Sequence, residues 1–139
     1  MMYYRRKLLL ALIEVFGGNL KSTDCEKLLF NFCKITGKDY YDFFPHRFGP
    51  FSFVSYYDKS RLTELGLLRD AQDFQLNTRH SYLKTIKPSD KKVLLDLKAS
   101  GLRGKKLIRK TYKENPHFTR HSEIIEELFT PEEVKQLQF

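Results

Sequence analysis

The chain has 139 residues, enough for one domain with a real core, because a chain of this size buries roughly two-thirds of its unfolded surface. Hydrophobic residues make up 41% and charged residues 30%, a composition typical of a folded domain and not of a disordered tail. The net charge of +8 predicts attraction to polyanions, since Lys and Arg gain Coulomb energy near phosphates. The sequence has no glycine-rich phosphate loop, nucleophile elbow or metal-ligand cluster, so it predicts no enzyme, no cofactor and no metal site.

Two features indicate a cytoplasmic protein that does not enter a membrane. The first apolar segment follows basic residues, as in a signal peptide, but Glu14 interrupts it and it is shorter than the roughly 20 residues that span a bilayer. We therefore predict an ordinary helix over Tyr3 to Phe16, ended by Gly17-Gly18. Cys25 and Cys33 lie about 12 Å apart along a second predicted helix, too far for a disulfide, so both are expected to be reduced thiols.

The next elements are predicted from apolar spacing and from capping residues. Thr23 to Glu26 match the capping box of a second helix that ends near Gly37. The aromatic segment after this helix contains Pro45, so we expect extended chain, with any strand at an edge and a turn at Gly49-Pro50. Ser52 caps a third helix that runs to about Leu65. The apolar side of that helix is thin and consists of Phe53, Val54, Tyr57, Leu62 and Leu65.

The second half of the chain begins with two short stretches of interleaved apolar and polar residues around Ala71-Gln72, which predict a small hairpin. Residues 78–87 are compatible with an extension of that hairpin or with the start of a helix. Pro88 opens a helix to about Ala99, and further helices are predicted over Lys105 to Lys113, over Ser122 to Phe129 and from Thr130 onward. Three helices and then a hairpin is the order of a winged helix-turn-helix.

These elements predict a mainly α fold with a small β-hairpin. A winged helix-turn-helix core over residues 1–86 would carry a helical extension over residues 87–139, and the two would form one globular unit.

Charge is distributed unevenly along the chain. Residues 79–120 hold thirteen Lys or Arg and three acids, a net charge of +10, whereas residues 1–78 carry +2 and residues 121–139 carry −4. On a helix, the basic residues from Lys106 to Lys113 share one side and leave Leu107, Ile108 and Tyr112 for the core. This basic side either binds a polyanion, faces solvent, or is neutralised by the acidic tail that contains Glu123, Glu126 and Glu127.

A winged helix places its third helix in the major groove of DNA. The sequence therefore predicts a protein that binds double-stranded DNA, as a homodimer because one recognition helix reads few base pairs. The third helix would face the bases, and the basic segments would contact phosphates. The predicted DNA-binding residues are Ser55, Tyr56, Lys59, Arg61, Arg79, Arg103, Lys106, Arg109, Lys110 and Lys113.

The aromatic residues that crowd the first half of the chain support other interpretations. Rings beside basic residues can stack on unpaired bases, rings in a chain without Trp can simply fill the core, and an exposed cluster of rings would mark a protein interface. The alternative hypothesis is therefore a protein-interaction module that does not read DNA.

Two resemblances bear on these hypotheses. The segments KLLLALIEVFGGNLKSTDCEKLLFNFC and YDFFPHRFGPFSFVSYYDKSRLTELGLL resemble the winged-helix segment that precedes a domain of unknown function in certain bacterial proteins. The later stretches KPSDKKVLLDLK, LIRKTYKENPHF and HSEIIEELFTPEE are similar to the region after that segment in those proteins. The resemblance covers nearly the whole chain and implies a stand-alone version of that segment.

A looser resemblance, to the Panacea antitoxin domain, rests on Lys27 to Phe30, Phe48 to Pro50 and Leu62 to Leu68. Those domains neutralise toxins chiefly through protein contacts, so this resemblance implies a binding module of a bacterial toxin-antitoxin or defence locus. Neither family implies catalytic residues. Ser55 and Lys59 depart from both patterns, because apolar residues are expected at these two positions of the third helix.

Overall fold

The computed structural model describes residues 2–137, and it confirms a mainly helical fold with short antiparallel strands. The helices are α1 (Tyr4–Val15), α2 (Ser22–Thr36), α3 (Phe53–Glu64), α4 (Pro88–Ala99), α5 (Gly104–Glu114), α6 (Ile125–Leu128) and α7 (Pro131–Gln136). The strands are β1 (Asn19–Leu20), β2 (Phe44–His46), β3 (Gly49–Phe51) and β4 (Phe74–Gln75). Strand β2 pairs with β3, and β1 pairs with β4.

Helix α2 lies at the centre of the molecule. Every residue from Asp24 to Cys33 is buried, and α1, α4, α5 and β3 pack around the helix. Leu94, Leu97 and Leu107 of the second half join the same hydrophobic cluster as Leu28. The helices after residue 87 therefore share a core with the first half, while the domain boundary at residue 86 stays a prediction.

The chain after α3 forms the predicted hairpin. Leu68 and Leu76 make a β-bridge, and the Arg69 amide donates to the Gln75 carbonyl at 2.9 Å. Strand β4 also pairs with β1, so this hairpin is tied to the turn after α1. Residues 78–87, which the sequence left open, contain one 3-10 turn at Leu83–Thr85.

Several local predictions are wrong in detail. Helix α2 begins at Ser22 and lacks a side-chain cap, because the expected capping partner Glu26 points into the core. The β2–β3 turn lies at residues 47–48, and Gly49 and Pro50 belong to β3. The α-helix expected over Ser122 to Phe129 is limited to Ile125–Leu128, because the preceding chain packs as a 3-10 turn and bends.

Other predictions are confirmed. Ser52 caps α3 by accepting a hydrogen bond from the Ser55 amide, and Thr130 forms a capping box with Glu133 at α7. Both cysteines are buried free thiols, and burial raises the pKa of each. Within residues 2–137, no helix combines the length and the apolar character needed to cross a membrane.

Candidate interaction site on helix α3

Helix α3 buries Leu62 together with the polar Ser55 and Asp58, while several of its large apolar side chains face solvent, unlike an ordinary surface helix. Its outward face carries Phe53, Tyr57, Ser60 and Glu64, at spacings of 4, 3 and 4 residues. Phe53 is 69% exposed and Tyr57 is 58% exposed. Of the predicted apolar side, Leu62 is buried, whereas Phe53, Tyr57 and Leu65 are exposed; for the two rings, this is the exposed alternative that the sequence left open.

The exposed rings on α3 continue onto neighbouring elements. The Phe53 ring lies 5.3 Å from the Phe44 ring of β2. The Arg6 guanidinium lies 4.9 Å from the Tyr3 ring and 5.8 Å from the Tyr57 ring, and so joins α1 to α3. We call Tyr3, Phe44, Phe53 and Tyr57 the aromatic surface. Exposed apolar surface of this kind often marks an interaction site.

The inward face of α3 is held by a buried carboxylate. Asp58 has no solvent exposure and accepts hydrogen bonds from Arg5 at 2.9 Å, Arg6 at 2.8 Å and Tyr41 at 2.9 Å. Burial alone would raise the pKa of Asp58, but these hydrogen bonds outweigh burial and hold it below its usual range. This network joins α3 to α1, and so it sets the position of Phe53 and Tyr57 relative to Tyr3.

A second buried carboxylate organises the start of α3. Glu26 accepts hydrogen bonds from the Ser52 amide at 3.1 Å and from the Ser55 hydroxyl. Burial raises the pKa of Glu26 to about 7. The contact satisfies backbone and hydroxyl donors at the helix N-terminus, which would otherwise be buried without partners.

The neighbouring Lys27 links the motifs that carry the looser family resemblance. Its ammonium donates to the Pro50 carbonyl at 3.2 Å, and burial lowers its pKa to about 8. A Cβ atom at Gly49 would lie 3.1 Å from the Lys27 Cε. Strongly shifted pKa values often mark active sites, but these contacts are to the backbone and give Lys27 a structural role.

Two of the predicted DNA-binding residues on α3 do not face solvent. Ser55 is fully buried, so the prediction that it faces a DNA groove is wrong, and its hydroxyl donates to Glu26. Tyr56 is half-buried and its ring stacks on Phe51 at 5.2 Å.

The two basic residues predicted on α3 are engaged within the chain. The Lys59 ammonium donates to the carbonyls of Ala71 at 2.8 Å and Gln72 at 2.7 Å, and so holds the tip of the hairpin. Burial lowers the pKa of Lys59. Arg61 forms an ion pair with Glu64, one turn further along the same helix. Contacts within the chain therefore account for the positions of both cations, and no bound ligand is needed to explain them.

The basic helix α5 has the predicted orientation, with Leu107, Ile108 and Tyr112 buried. Part of it is neutralised from the acidic tail, as one alternative expected, but by Glu133 and not by the three acids that the sequence singled out; of those, Glu123 lies beside Arg47. Glu133 lies 3.0 Å from Arg109 and 3.9 Å from Lys113.

The other predicted phosphate-binding residues differ in their surroundings. Lys110 pairs with Glu114 of its own helix, and the Arg103 guanidinium lies over the Phe16 ring at 3.9 Å. Lys106 is exposed on α5, and Arg79 lines a groove at the base of the hairpin. The ten predicted residues are therefore spread over several surfaces.

Within residues 2–137, no group of three or more His, Cys, Asp or Glu is placed to hold a metal ion. The notable features are instead the aromatic surface and the buried network beneath it. Comparison of the chain with protein-family models, curated proteins and solved structures finds no significant match.

Proposed function

We propose that this protein is a protein-interaction module that binds its partner through the aromatic surface. The observation that carries the proposal is that α3 leaves the large rings of Phe53 and Tyr57 in solvent while the polar Ser55 and Asp58 are buried. A partner that covered these rings would gain a stabilisation of about 25 cal/mol for each Å² of apolar surface removed from water. Tyr and Phe are enriched at the centres of protein interfaces, where a partner would cover them.

The charges near the aromatic surface favour a protein partner over DNA. The cations of Lys59 and Arg61 are engaged with carbonyls and with a carboxylate, and the hairpin carries Asp70 and Asp73. DNA binding depends on free cations that replace counterions at phosphates. This face therefore lacks the charge that reading DNA with α3 would require.

The resemblance to antitoxin domains supports the same class of function. We propose a partner encoded at a bacterial toxin-antitoxin or defence locus, acting with this protein in the cytoplasm. The contacts between Lys27 and the Gly49–Pro50 strand support this proposal, because they join two of the segments on which that resemblance rests.

The direct test is capture of the partner from a lysate of the native host. We expect the immobilised protein to retain one protein in stoichiometric amount at about 0.15 M salt, and the double variant Phe53→Ser, Tyr57→Ser to retain at least about tenfold less. The control is Leu95→Ser, which removes an exposed leucine from α4 and should retain the partner fully. Equal retention by all three proteins would contradict the proposal.

A second proposal is the binding of double-stranded DNA through phosphate contacts alone, by a monomer or a homodimer. The observation that favours it is the pair Lys105 and Lys106 at the start of α5, both exposed and without an ion pair among residues 2–137. A basic pair of this kind can release counterions from any DNA sequence.

A retardation assay with random duplex DNA across a salt series tests this second proposal. The double variant Lys105→Glu, Lys106→Glu should bind more weakly to all sequences and reduce the slope of log K against log salt by about two. The control is Lys21→Glu with Lys38→Glu, which makes the same change in net charge at exposed positions elsewhere. Equal affinity of the two variants would exclude a role for α5.

A further inference from the structure

A groove of about 650 Å³ opens at the base of the hairpin, where the end of α1 meets strand β4. Its size lies within the range of about 300–1,000 Å³ that small-molecule sites occupy. The lining is mostly polar and includes Glu14, Asn19, Arg69, Gln75, Arg79 and Ser81. A lining of this composition suits a polar ligand and not a lipid or a steroid.

The groove is lined by two arginines from separate parts of the chain. Arg69 belongs to the hairpin and Arg79 to the segment after it, and both are exposed at the groove. Neither forms an ion pair with any acid of residues 2–137. Two like charges that line one groove repel each other, and an anion between them would remove that cost.

The single acid in the lining is engaged elsewhere. Glu14 accepts hydrogen bonds from the Ser81 hydroxyl at 2.9 Å and from the Tyr82 amide at 2.6 Å. These contacts fasten the segment after Arg79 to the end of α1 and so build one wall of the groove. Glu14 keeps its negative charge, but two arginines face this one acid in the lining, and neither of them forms an ion pair with it.

We propose that this groove binds a small phosphate-bearing molecule. The planar guanidinium group donates two parallel hydrogen bonds to phosphate oxygens, and a phosphate monoester carries close to two negative charges at neutral pH. The side-chain amides of Asn19 and Gln75 supply neutral donors and acceptors for the rest of the ligand. This site is separate from the aromatic surface, so the proposal does not depend on the proposed function.

The test is an NMR titration of the ¹⁵N-labelled full chain at constant ionic strength. Inorganic phosphate and AMP should each shift the amide signals of Gly17, Gly18 and Gln75 in a saturable way, whereas adenosine should not. The double variant Arg69→Gln, Arg79→Gln should bind AMP at least about tenfold more weakly. The control is Lys34→Gln with Lys38→Gln, which removes the same charge from the far end of α2 and should leave the affinity unchanged.

Three results would overturn the proposal. The first is the absence of saturable shifts with phosphate and AMP, and the second is equal AMP affinity in the two double variants. The third is a shift of the groove signals by a duplex oligonucleotide but not by AMP, which would assign the groove to a nucleic-acid backbone. Because all four substituted residues are exposed, the unliganded spectra should report intact folds.

Discussion

At the scale of single residues, Asp58 determines how α3 is oriented. Replacing it by Asn would remove the anion while Arg6 stays buried beside it. Breaking a buried ion pair by removing one partner costs about 3–5 kcal/mol, because the other charge is left uncompensated. We therefore expect Asp58→Asn to lower the free energy of unfolding by about that amount, measured by urea denaturation at pH 7.

Asp96 provides the matched control for Asp58. It pairs with Lys92 at 3.2 Å on the exposed side of α4, and an exposed pair at this spacing contributes only about 0.3–0.5 kcal/mol. Asp96→Asn should therefore leave the free energy of unfolding nearly unchanged. Similar losses in the two variants would mean that the Asp58 network does not hold α3.

Glu26 should give the protein an unusual pH dependence. Burial raises its pKa from 4.5 to about 7, so between these values the folded state binds the proton more tightly than the unfolded chain does. Stability from this group is therefore full below about pH 4.5 and is lost as the pH rises toward 7. Lys27 acts in the opposite direction at higher pH, since its pKa falls from 10.5 to about 8.

Substitution of Glu26 by Gln tests this pH dependence. Gln cannot ionise, so the difference in unfolding free energy between Glu26→Gln and the wild type should shift in favour of the variant as the pH rises from 5 to 8. Urea denaturation at the two pH values measures this difference. A difference that does not change with pH would show that Glu26 ionises in the folded state as it does in water.

The sequence identified local features of these residues but not their long-range partners. The capping role of Ser52 is predictable from its position before a helix. The burial of Glu26, Ser55 and Asp58 is not, because helical spacing alone suggests that carboxylates face lysine or solvent. Arg5 and Asp58 are 53 residues apart in sequence, and only the packing of α1 on α3 brings them together.

At the scale of elements, the β2–β3 hairpin is held in place at Gly49. This residue has a φ of +100°, and an added Cβ would lie 3.1 Å from the Lys27 Cε and 3.2 Å from the Tyr112 Cε1. Gly49→Ala therefore combines an unfavourable backbone conformation with close contacts to two buried side chains. We expect Gly49→Ala to lower the free energy of unfolding by about 1 kcal/mol or more beyond the loss from the same substitution at a left-handed glycine with free space around it.

Gly37 is the control for this substitution. It ends α2 at a φ of +71°, and an added Cβ would meet no atom within 4 Å, so Gly37→Ala carries only the conformational cost of about 1–2 kcal/mol. Thermal unfolding of both variants compares the two sites. If Gly37→Ala proved as destabilising as Gly49→Ala, the contact between β3 and Lys27 would contribute little.

The existence and length of most helices could be predicted, because caps, prolines and glycines mark their ends. Helix α3 shows where this reasoning fails. Its bounds agree with the prediction, but spacing cannot tell which of its apolar side chains are buried and which are exposed. The buried network of Asp58 packs beside Leu62 on the inward side of the helix, and Phe53 and Tyr57 face solvent.

At the scale of the whole molecule, the net charge of +8 does not form one basic face. Glu133 pairs with Arg109 and approaches Lys113, and other cations are held by carbonyls or rings. The composition alone gives the total charge. The arrangement of that charge in space depends on contacts between α5 and the C-terminal helices. The uneven charge along the chain therefore does not by itself show how the cations are arranged in space.

Site-specific photo-crosslinking tests the central claim, that α3 presents a protein-binding surface, most directly. A benzophenone amino acid replaces Tyr57 in the aromatic surface or, as the control, Leu95 on α4, and each protein is irradiated in the native host. We predict one dominant adduct to a single other protein from position 57 and none of that size from position 95. No adduct from position 57, or the same adducts from both positions, would contradict the claim.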